Sequence, residues 1–241
     1  MVGGASLSEE TIRSLKELLR PGANVLNGYD MSETTISLPR ETRNDKGASV
    51  GRPSAGVSLR IVDDNGDDVA VGTDGECLIK SPTVFMGYKG NKAETDAAFK
   101  GGWLCSGDVV RVDNDGFFYL TGRKKELIKF KGNQVGPAEL EAVLLTHALV
   151  EDVGVCGVYD SNLETEVPVG FIILSASVKD VEGKALLENV QGFVDERVAP
   201  YKKLRGGLFC VEALPKNTSG TLLRRKLAIM AEGQRSLKHK L

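Results

Sequence analysis

The pattern of apolar residues changes near Gly122, and this change constrains the fold more than any other feature of the chain. Between Gly51 and Leu120, short alternating apolar runs are separated by Asn-Gly and Asp-Gly turns, which is typical of antiparallel strands. After Gly122 the spacing alternates between helix and strand periods, as in a mixed domain. We therefore predict an α+β protein with two lobes, a β-rich portion over 1–121 and a small α+β domain over 122–241.

Periodicity and end signals place individual elements within this outline. Residues 8–20 carry apolar side chains on one helical stripe, with Ser8 as the candidate N-cap. Val25 and Leu26 indicate a short buried strand. Further strands are predicted at 57–61, 76–80, 109–112, 117–120, 153–158, 167–174 and 207–211, and further helices at 137–145, 181–198 and 222–230.

Composition excludes several classes of protein. An apolar fraction of 41% and a charged fraction of 27% are those of a globular protein rather than a disordered or fibrous one. No apolar run approaches the roughly 20 residues that a membrane helix needs. The N-terminus has no basic segment followed by an apolar one, so we expect no secretory leader and a cytoplasmic location. The C-terminal Lys238-His-Lys-Leu241 resembles a peroxisomal Ser-Lys-Leu signal, which leaves that location open.

The cysteines point to free thiols rather than to a disulfide framework. They are scattered and form no Cys-x-x-Cys pair, and the chain has only two histidines, so we expect no zinc cluster. The four residues are Cys77, Cys105, Cys156 and Cys210.

Charge is unevenly distributed along the chain. From residue 200 onward ten Lys/Arg face two Asp/Glu, a balance of +8, and the total of −2 therefore leaves −10 on residues 1–199. The basic end could bind a phosphate-bearing anion, or it could be a solvated helix face. No nucleic-acid-binding motif accompanies it, so we expect no nucleic acid partner.

Four segments combine glycine, hydroxyl and charged residues in a distinctive order and spacing. In that order they resemble the adenylate-forming superfamily of acyl-CoA synthetases, 4-coumarate–CoA ligases and luciferases. The sequence of residues 129–141 is similar to that of the 4-coumarate–CoA ligase type. The segments are Gly28-Tyr-Asp-Met-Ser-Glu33, Gly102-Trp-Leu-Cys-Ser-Gly-Asp108, Gly122-Arg-Lys-Lys-Glu-Leu-Ile-Lys-Phe-Lys-Gly-Asn-Gln134 and Pro215-Lys-Asn-Thr-Ser-Gly-Thr-Leu-Leu-Arg224.

The resemblance implies a nucleotide site that takes AMP or ATP with Mg²⁺. It implies that Tyr29 lies along the nucleotide, that the Ser32 hydroxyl contacts phosphate, and that Glu33 helps to hold the metal ion, a hard cation that prefers oxygen ligands. The carboxylate of Asp108 would accept hydrogen bonds from both ribose hydroxyls, and Arg123 would supply a second ribose contact.

The resemblance also implies a swinging C-terminal domain and a coenzyme A contact. Lys125 matches the position about which that domain turns between two half-reactions. Lys129 and Gln134 are the implied catalytic residues, and Lys131 and Gly132 lie beside them in a loop that approaches the acyl group or coenzyme A. Without the resemblance, 122–134 would be interpreted as a basic, exposed turn between strands.

Three departures from the family pattern limit the implied chemistry. The family has a lysine after the glycine that matches Gly220, and this chain has Thr221, which cannot supply a mobile positive charge to the reacting phosphate. The family's phosphate-binding loop lies upstream of the matching region, so we expect nothing in these 241 residues to cradle the β- and γ-phosphates. Asp30 replaces a glycine beside the acyl group, either as a turn residue or as a new acid/base group.

Three functions remain open from the sequence. The first is an enzyme: a truncated AMP-forming acyl-CoA ligase-like protein that cannot adenylate alone and is repurposed for ATP-independent chemistry on a small molecule or acyl thioester, with or without a nucleotide or coenzyme A. The second is the back half of a conventional ligase that needs its N-terminal part. The third is a non-catalytic binding protein, in which a second copy or a partner covers apolar surface. The first two would take a small-molecule acyl substrate.

Overall fold

Residues 9–20, 23, 25–37, 46–175, 183–218 and 220–238 are described by a computed structural model. The chain divides into two units, residues 1–124 and residues 125–241. Both contain helices and strands, so the predicted α+β class is confirmed. Within the described ranges, no helix is long and apolar enough to cross a membrane.

The first unit is built around a five-stranded antiparallel sheet. Its strands are β3 to β7, of which β6 pairs with β4, β5 and β7, while β3 pairs only with β4. A separate hairpin of β1 and β2 precedes the sheet. The elements are α1 (Glu9–Leu18), β1 (Tyr29–Met31), β2 (Thr34–Ser37), β3 (Ser58–Val62), β4 (Gly75–Lys80), α2 (Lys92–Ala98), β5 (Phe99–Lys100), β6 (Trp103–Val112) and β7 (Phe118–Arg123).

The alternation of apolar residues accounts for the core of this unit. Ile61, Ile79 and Leu104 come from three adjacent strands and are buried together with Ile36 of the β1–β2 hairpin. The hairpin therefore packs on the same apolar cluster as the large sheet. This packing fixes the position of Tyr29, which belongs to that cluster.

Sequence and structure differ at two places in the first unit. The predicted strand at Val25 and Leu26 is wrong, because the first paired strand begins at Tyr29, which finds β2 across a two-residue turn. The helix α2 was missed. It has no buried residue and is supported at its start by Asn91, whose side chain accepts the Glu94 backbone N–H at 3.1 Å. The predicted N-cap Ser8 lies outside the described residues.

The second unit contains a three-stranded sheet with helices packed on it. The strands β10 and β11 are antiparallel, β12 is parallel to β11, and β8 and β9 form a separate hairpin. The elements are β8 (Ile128–Phe130), β9 (Asn133–Val135), α3 (Pro137–Leu145), β10 (Val150–Asp160), β11 (Thr165–Leu174), α4 (Gly183–Asp195), β12 (Leu208–Cys210) and α5 (Arg224–Lys238).

Two apolar clusters bury this sheet. One joins it to α3 and α4 through Leu140, Leu144 and Val190, and the other joins it to α5 through Leu227. A glycine permits the second contact, because a Cβ at Gly154 of β10 would lie 2.7 Å from the Leu227 Cδ1 atom. The sequence therefore places its smallest residue where a helix must approach a strand closely.

The predicted elements of this unit form, with differences at their ends. The helix over 137–145 has the predicted bounds and begins with proline at its first turn. The helix predicted over 181–198 is shorter, ending at Asp195. The last helix begins at Arg224 rather than at residue 222, because Leu222 forms an isolated bridge with Lys216 instead.

Candidate functional site

The carboxylate of Asp108 is a buried polar group of the first unit. Asp108 lies on β6 with only 3% of its surface exposed. The Tyr29 hydroxyl donates to its Oδ2 atom at 2.6 Å, and the Arg123 Nε atom lies 3.1 Å from its Oδ1 atom. The pairing of β6 with β7 sets Arg123 directly opposite Asp108. Tyr29, 79 positions away, and Arg123, from the neighbouring strand, therefore meet at one carboxylate.

Burial raises the pKa of two titratable groups close to the Asp108 carboxylate, Tyr29 and Cys77. Burial raises the pKa of Tyr29 above its ordinary value, and electrostatic repulsion from Cys77 and Asp108 raises it further. The phenol therefore keeps its proton and remains a hydrogen-bond donor. Burial, with a smaller contribution from Asp108, raises the pKa of Cys77 to about 12. The Arg123 guanidinium places a positive charge beside the carboxylate. The arrangement is suited to accepting hydrogen bonds from the hydroxyl groups of a ligand.

The β1–β2 hairpin directs the side chains of the first motif, Tyr29 to Glu33, to different environments. Tyr29 points into the core, while Asp30 is exposed on the same strand, as strand alternation requires. Ser32 is exposed in the turn. Glu33 accepts a hydrogen bond from the Tyr88 hydroxyl at its Oε1 atom, at 2.7 Å. The structure thus brings Tyr29 to Asp108 and Arg123, and gives Glu33 a partner that the motifs did not identify.

The donor set around Glu33 fits a metal ion only in part. Among the described residues, no group of three or more His, Cys, Asp and Glu side chains could hold a metal ion. Magnesium often binds one or two protein carboxylates and takes its remaining ligands from phosphates and water. Glu33 therefore fits as a single ligand of an ion that arrives with a nucleotide.

The predicted coenzyme A loop is a tight hairpin in the second unit. Strands β8 and β9 are joined at Lys131 and Gly132, whose φ angles are 46° and 80°. Positive φ at both central residues is the geometry of a type I′ turn, and glycine accommodates it most easily. The side chains of Lys129, Lys131 and Gln134 are all exposed on this hairpin. It presents two ammonium groups and an amide to solvent.

Side chains from the start of β11 form hydrogen bonds with the backbone of this hairpin. Thr165 accepts the Lys131 backbone N–H at 2.9 Å and donates its hydroxyl to the Lys129 carbonyl at 2.8 Å. The Glu166 carboxylate accepts the Lys129 backbone N–H at 2.7 Å. Phe130 of β8 is buried, with the Arg205 guanidinium 4.6 Å from its ring centroid. The backbone of the hairpin is therefore held by side chains that lie 34 to 37 positions away.

The turn that contains Thr221 is closed by local hydrogen bonds. The Asn217 side chain accepts the Thr221 backbone N–H at 2.8 Å, and the Asn217 N–H donates to the Thr221 carbonyl at 2.9 Å. Gly220 has a φ of 82° within this turn. Thr221 is exposed and presents a short hydroxyl where the resemblance implies a lysine.

Arg224, directly after this turn, holds three segments together. Its Nε atom donates to Glu126 at 2.6 Å, its two terminal nitrogens bond both oxygens of Glu141, and Nη1 also donates to the Val155 carbonyl at 2.9 Å. The pKa of Arg224 is raised, because these two carboxylates outweigh its burial. Sequence reasoning assigned no role to Arg224, since its carboxylate partners lie 83 and 98 positions away.

Two family models match the chain in succession. The model described as AMP-binding enzyme matches residues 1–89, and the model described as AMP-binding enzyme C-terminal domain matches residues 139–221. The chain belongs to the adenylate-forming superfamily. Its match corresponds to the C-terminal part of those enzymes, as the motifs predicted.

Individual relatives agree with this assignment. The chain is 38% identical to 4-coumarate–CoA ligase-like 9 of Oryza sativa subsp. japonica, over 94% of this chain and 41% of the relative. It is 36% identical to peroxisomal OPC-8:0-CoA ligase 1 of Arabidopsis thaliana, over 98% of this chain and 43% of the relative. The crystal structure of the anthranilate CoA ligase AuaEII with anthranoyl-AMP matches with a TM-score of 0.82 and 30% identity, over 95% of this chain and 43% of that one. The chain thus spans about two fifths of the length of these relatives.

Proposed function

We propose that this chain serves the thioester-forming half of an acyl-CoA ligase reaction, acting on an acyl-adenylate rather than on ATP and a free acid. The observation that carries the proposal is the buried Asp108 carboxylate between Tyr29 and Arg123. A carboxylate with two oriented oxygens suits the paired hydroxyl groups of a ribose. The nucleoside of AMP or of an acyl-adenylate is the ligand that it would recognise.

The residue at position 221 supports the thioester half of the reaction over the adenylation half. Charge stabilisation of a reacting phosphate by one well-placed donor is worth about 2.7–4 kcal/mol. Thr221 carries no charge, and its exposed hydroxyl is at the end of a short side chain. Adenylation of a carboxylic acid would therefore be slowed about 10²–10³-fold by this replacement alone.

The residues of the second unit suit the acceptor thiol. In the proposed step the coenzyme A sulfur attacks the acyl carbonyl, a C–S bond forms, and the bond between the carbonyl carbon and the AMP oxygen breaks. AMP leaves with the electron pair of that bond, and the thiol proton passes to solvent. Lys129 and Lys131 would attract the phosphates of coenzyme A, and Gln134 would hydrogen-bond its amide chain. Gly132 keeps the tip of the hairpin narrow.

A direct experiment uses a preformed intermediate. We expect the full chain to convert anthranoyl-AMP or 4-coumaroyl-AMP, chosen from the names of the relatives, and coenzyme A into the thioester, detected by mass spectrometry. It should give no thioester from ATP and the free acids. Titration calorimetry should show AMP binding that weakens about 10–100-fold in Asp108→Asn, since a hydrogen bond to a charged group is worth about 1.5–3 kcal/mol.

The matched control is Asp74→Asn, which removes an exposed carboxylate whose Oδ1 atom lies 3.8 Å from Arg111. It should leave both AMP affinity and thioester formation unchanged. AMP binding that survives Asp108→Asn in full would refute the ribose assignment. Absence of thioester from both adenylates, with AMP still bound, would refute the acyl-transfer step.

A second candidate function follows from the length of the match. Because the chain spans about two fifths of its relatives, it could serve as the C-terminal portion of a complete ligase, joined to the preceding portion or paired with it. Mixing the chain with a separately expressed N-terminal portion of a related ligase would test this idea. ATP-dependent thioester formation only in the mixture would favour it over the first proposal.

A further inference from the structure

The second unit contains a groove that has no part in the proposed function, although Lys125 and Arg224 help to line it. It has a volume of about 610 Å³ and lies between residues 125–128, the Cys156–Gly157 part of β10, and the first turns of α5. Its volume is within the roughly 300–1,000 Å³ that small-molecule sites occupy. The exposed side chains of the β8–β9 hairpin tip do not line it.

The walls of this groove are apolar. Leu127 comes from the segment before β8, Leu222 from the segment before α5, and Ile229 from the helix itself. Ile229 is 63% exposed, although large aliphatic side chains are usually buried. Burying these side chains against the apolar chain of a ligand would remove them from water and so favour binding.

The charged groups of the lining are mainly cations. Lys125, Arg225 and Lys226 are exposed, and within the described parts of the chain none of the three makes an ion pair or a hydrogen bond through its side chain. Of the two carboxylates in the lining, Glu126 is bound by Arg224, while Glu166 accepts only the neutral Lys129 backbone N–H and keeps its negative charge, so the three cations outnumber it. The available charge around the groove is therefore positive.

We propose that this groove binds an amphipathic organic anion, namely a molecule with an aliphatic chain and a carboxylate or phosphate head. The chain would lie against Leu127, Leu222 and Ile229, and the head would contact Lys125, Arg225 and Lys226. Complementary charge selects an anion, and the apolar walls select one with an extended hydrocarbon part. The lining shares no residue with the nucleoside contacts at Asp108, and the proposal goes beyond the proposed function.

The test is a titration of the full, ¹⁵N-labelled chain followed by two-dimensional NMR. The probes are laurate, dodecyl phosphate and dodecanol, which share one chain length and differ in the head. We expect saturable shifts of the backbone amides of Leu127, Leu222, Lys226 and Ile229 with both anions, and at least tenfold weaker binding of dodecanol. If laurate and dodecyl phosphate differ in affinity, the tighter one identifies the head that the site prefers.

Two variants probe the two halves of the site. Arg225→Gln/Lys226→Gln should weaken binding of both anions at least tenfold, and Ile229→Asn should weaken all three probes. The matched control, Arg197→Gln/Lys203→Gln, removes two cations outside the lining and should not alter binding. Both charge variants replace cations with polar side chains, and the spectra of the free proteins report whether the fold is retained.

Three results would overturn the proposal. They are equal affinity for dodecanol and laurate, shifts spread over both units rather than around the groove, and signals of the groove that broaden with protein concentration in the absence of any probe. The last would show that the groove is a contact between copies of the chain. AMP affinity measured on the same variants separates the two proposals, because loss of laurate binding with AMP binding intact concerns the groove alone.

Discussion

Removal of the Arg224 guanidinium should destabilise the second unit. Its side chain is 19% exposed and that of its bidentate partner Glu141 is 15% exposed. Glu141 also accepts a hydrogen bond from the Val155 backbone N–H at 2.8 Å, and Arg224 donates one to the Val155 carbonyl at 2.9 Å. Side chains therefore satisfy both backbone groups of a strand residue on the side of β10 that faces away from β11.

The size of the effect follows from the charges left behind. In Arg224→Met, the Glu141 carboxylate stays largely buried with one remaining backbone donor, and the Val155 carbonyl loses its partner. Breaking a buried ion pair from one side costs about 3–5 kcal/mol, and because both groups keep some contact with water we expect about 3 kcal/mol. This is a large fraction of the roughly 5–15 kcal/mol that stabilises a typical domain. The double variant Arg224→Met/Glu141→Leu should recover part of the loss.

Hydrogen exchange of the β10–β11 peptides during urea unfolding measures the free energy of unfolding of this unit. The matched control is Arg225→Met, an exposed neighbour on the same helix that should change stability by less than about 0.5 kcal/mol. The chain's single tryptophan, Trp103, lies in the first unit, so its fluorescence follows that unit separately. A loss in Arg224→Met that is within about 1 kcal/mol of the control would refute the reasoning.

Two further predictions concern groups with shifted pKa values. The pKa of Asp63 is lowered, chiefly because its carboxylate accepts the backbone N–H of Asp67, so it adds stability above its ordinary pKa of 3.8 that is lost as the pH falls through the lower folded value. Thermal unfolding followed by Trp103 fluorescence should therefore show that wild type is more stable than Asp63→Ala at neutral pH. The difference in stability should disappear only below pH 3.8. A difference that persists in strong acid would contradict this prediction. Burial raises the pKa of Cys156 to about 12, whereas Cys210 is exposed. In the folded protein at pH 8, iodoacetamide should label Cys210 and leave Cys156 unmodified, as peptide mass spectrometry can establish; rapid labelling of both would show that Cys156 is accessible.

The sequence was sufficient for the parts of the structure that depend on local pattern. Strand alternation located β3, β4, β6 and β7, and the proline at residue 137 marked the start of α3. The short helix α2 escaped prediction because it buries no side chain and so has no apolar stripe. Local pattern also carries no information about which distant residues meet, since that depends on the packed fold.

The candidate site shows the same division. The motifs identified Asp108 and Arg123 individually, and the β6–β7 pairing explains why they are opposite each other. Nothing in the motifs indicated that Tyr88 would bond Glu33 or that Thr165 would support the hairpin, because these contacts span 55 and 34 to 36 positions. The groove beside Arg225 was visible in the sequence only as an excess of basic residues near the C-terminus.

The bracing of the β8–β9 hairpin also has a consequence for the entropy of binding. Its backbone is already fixed by Thr165 and Glu166, so a ligand that docks there need not order a loop. Only the rotamers of Lys129, Lys131 and Gln134 remain to be restricted, at about 0.5–1.5 kcal/mol for each side chain. A flexible loop of the same sequence would lose a further 1–2 kcal/mol or so for each residue whose backbone became ordered. Weakening the hydrogen bonds from Thr165 and Glu166 to the hairpin should therefore reduce the affinity for the ligand, although every contact to the ligand is kept.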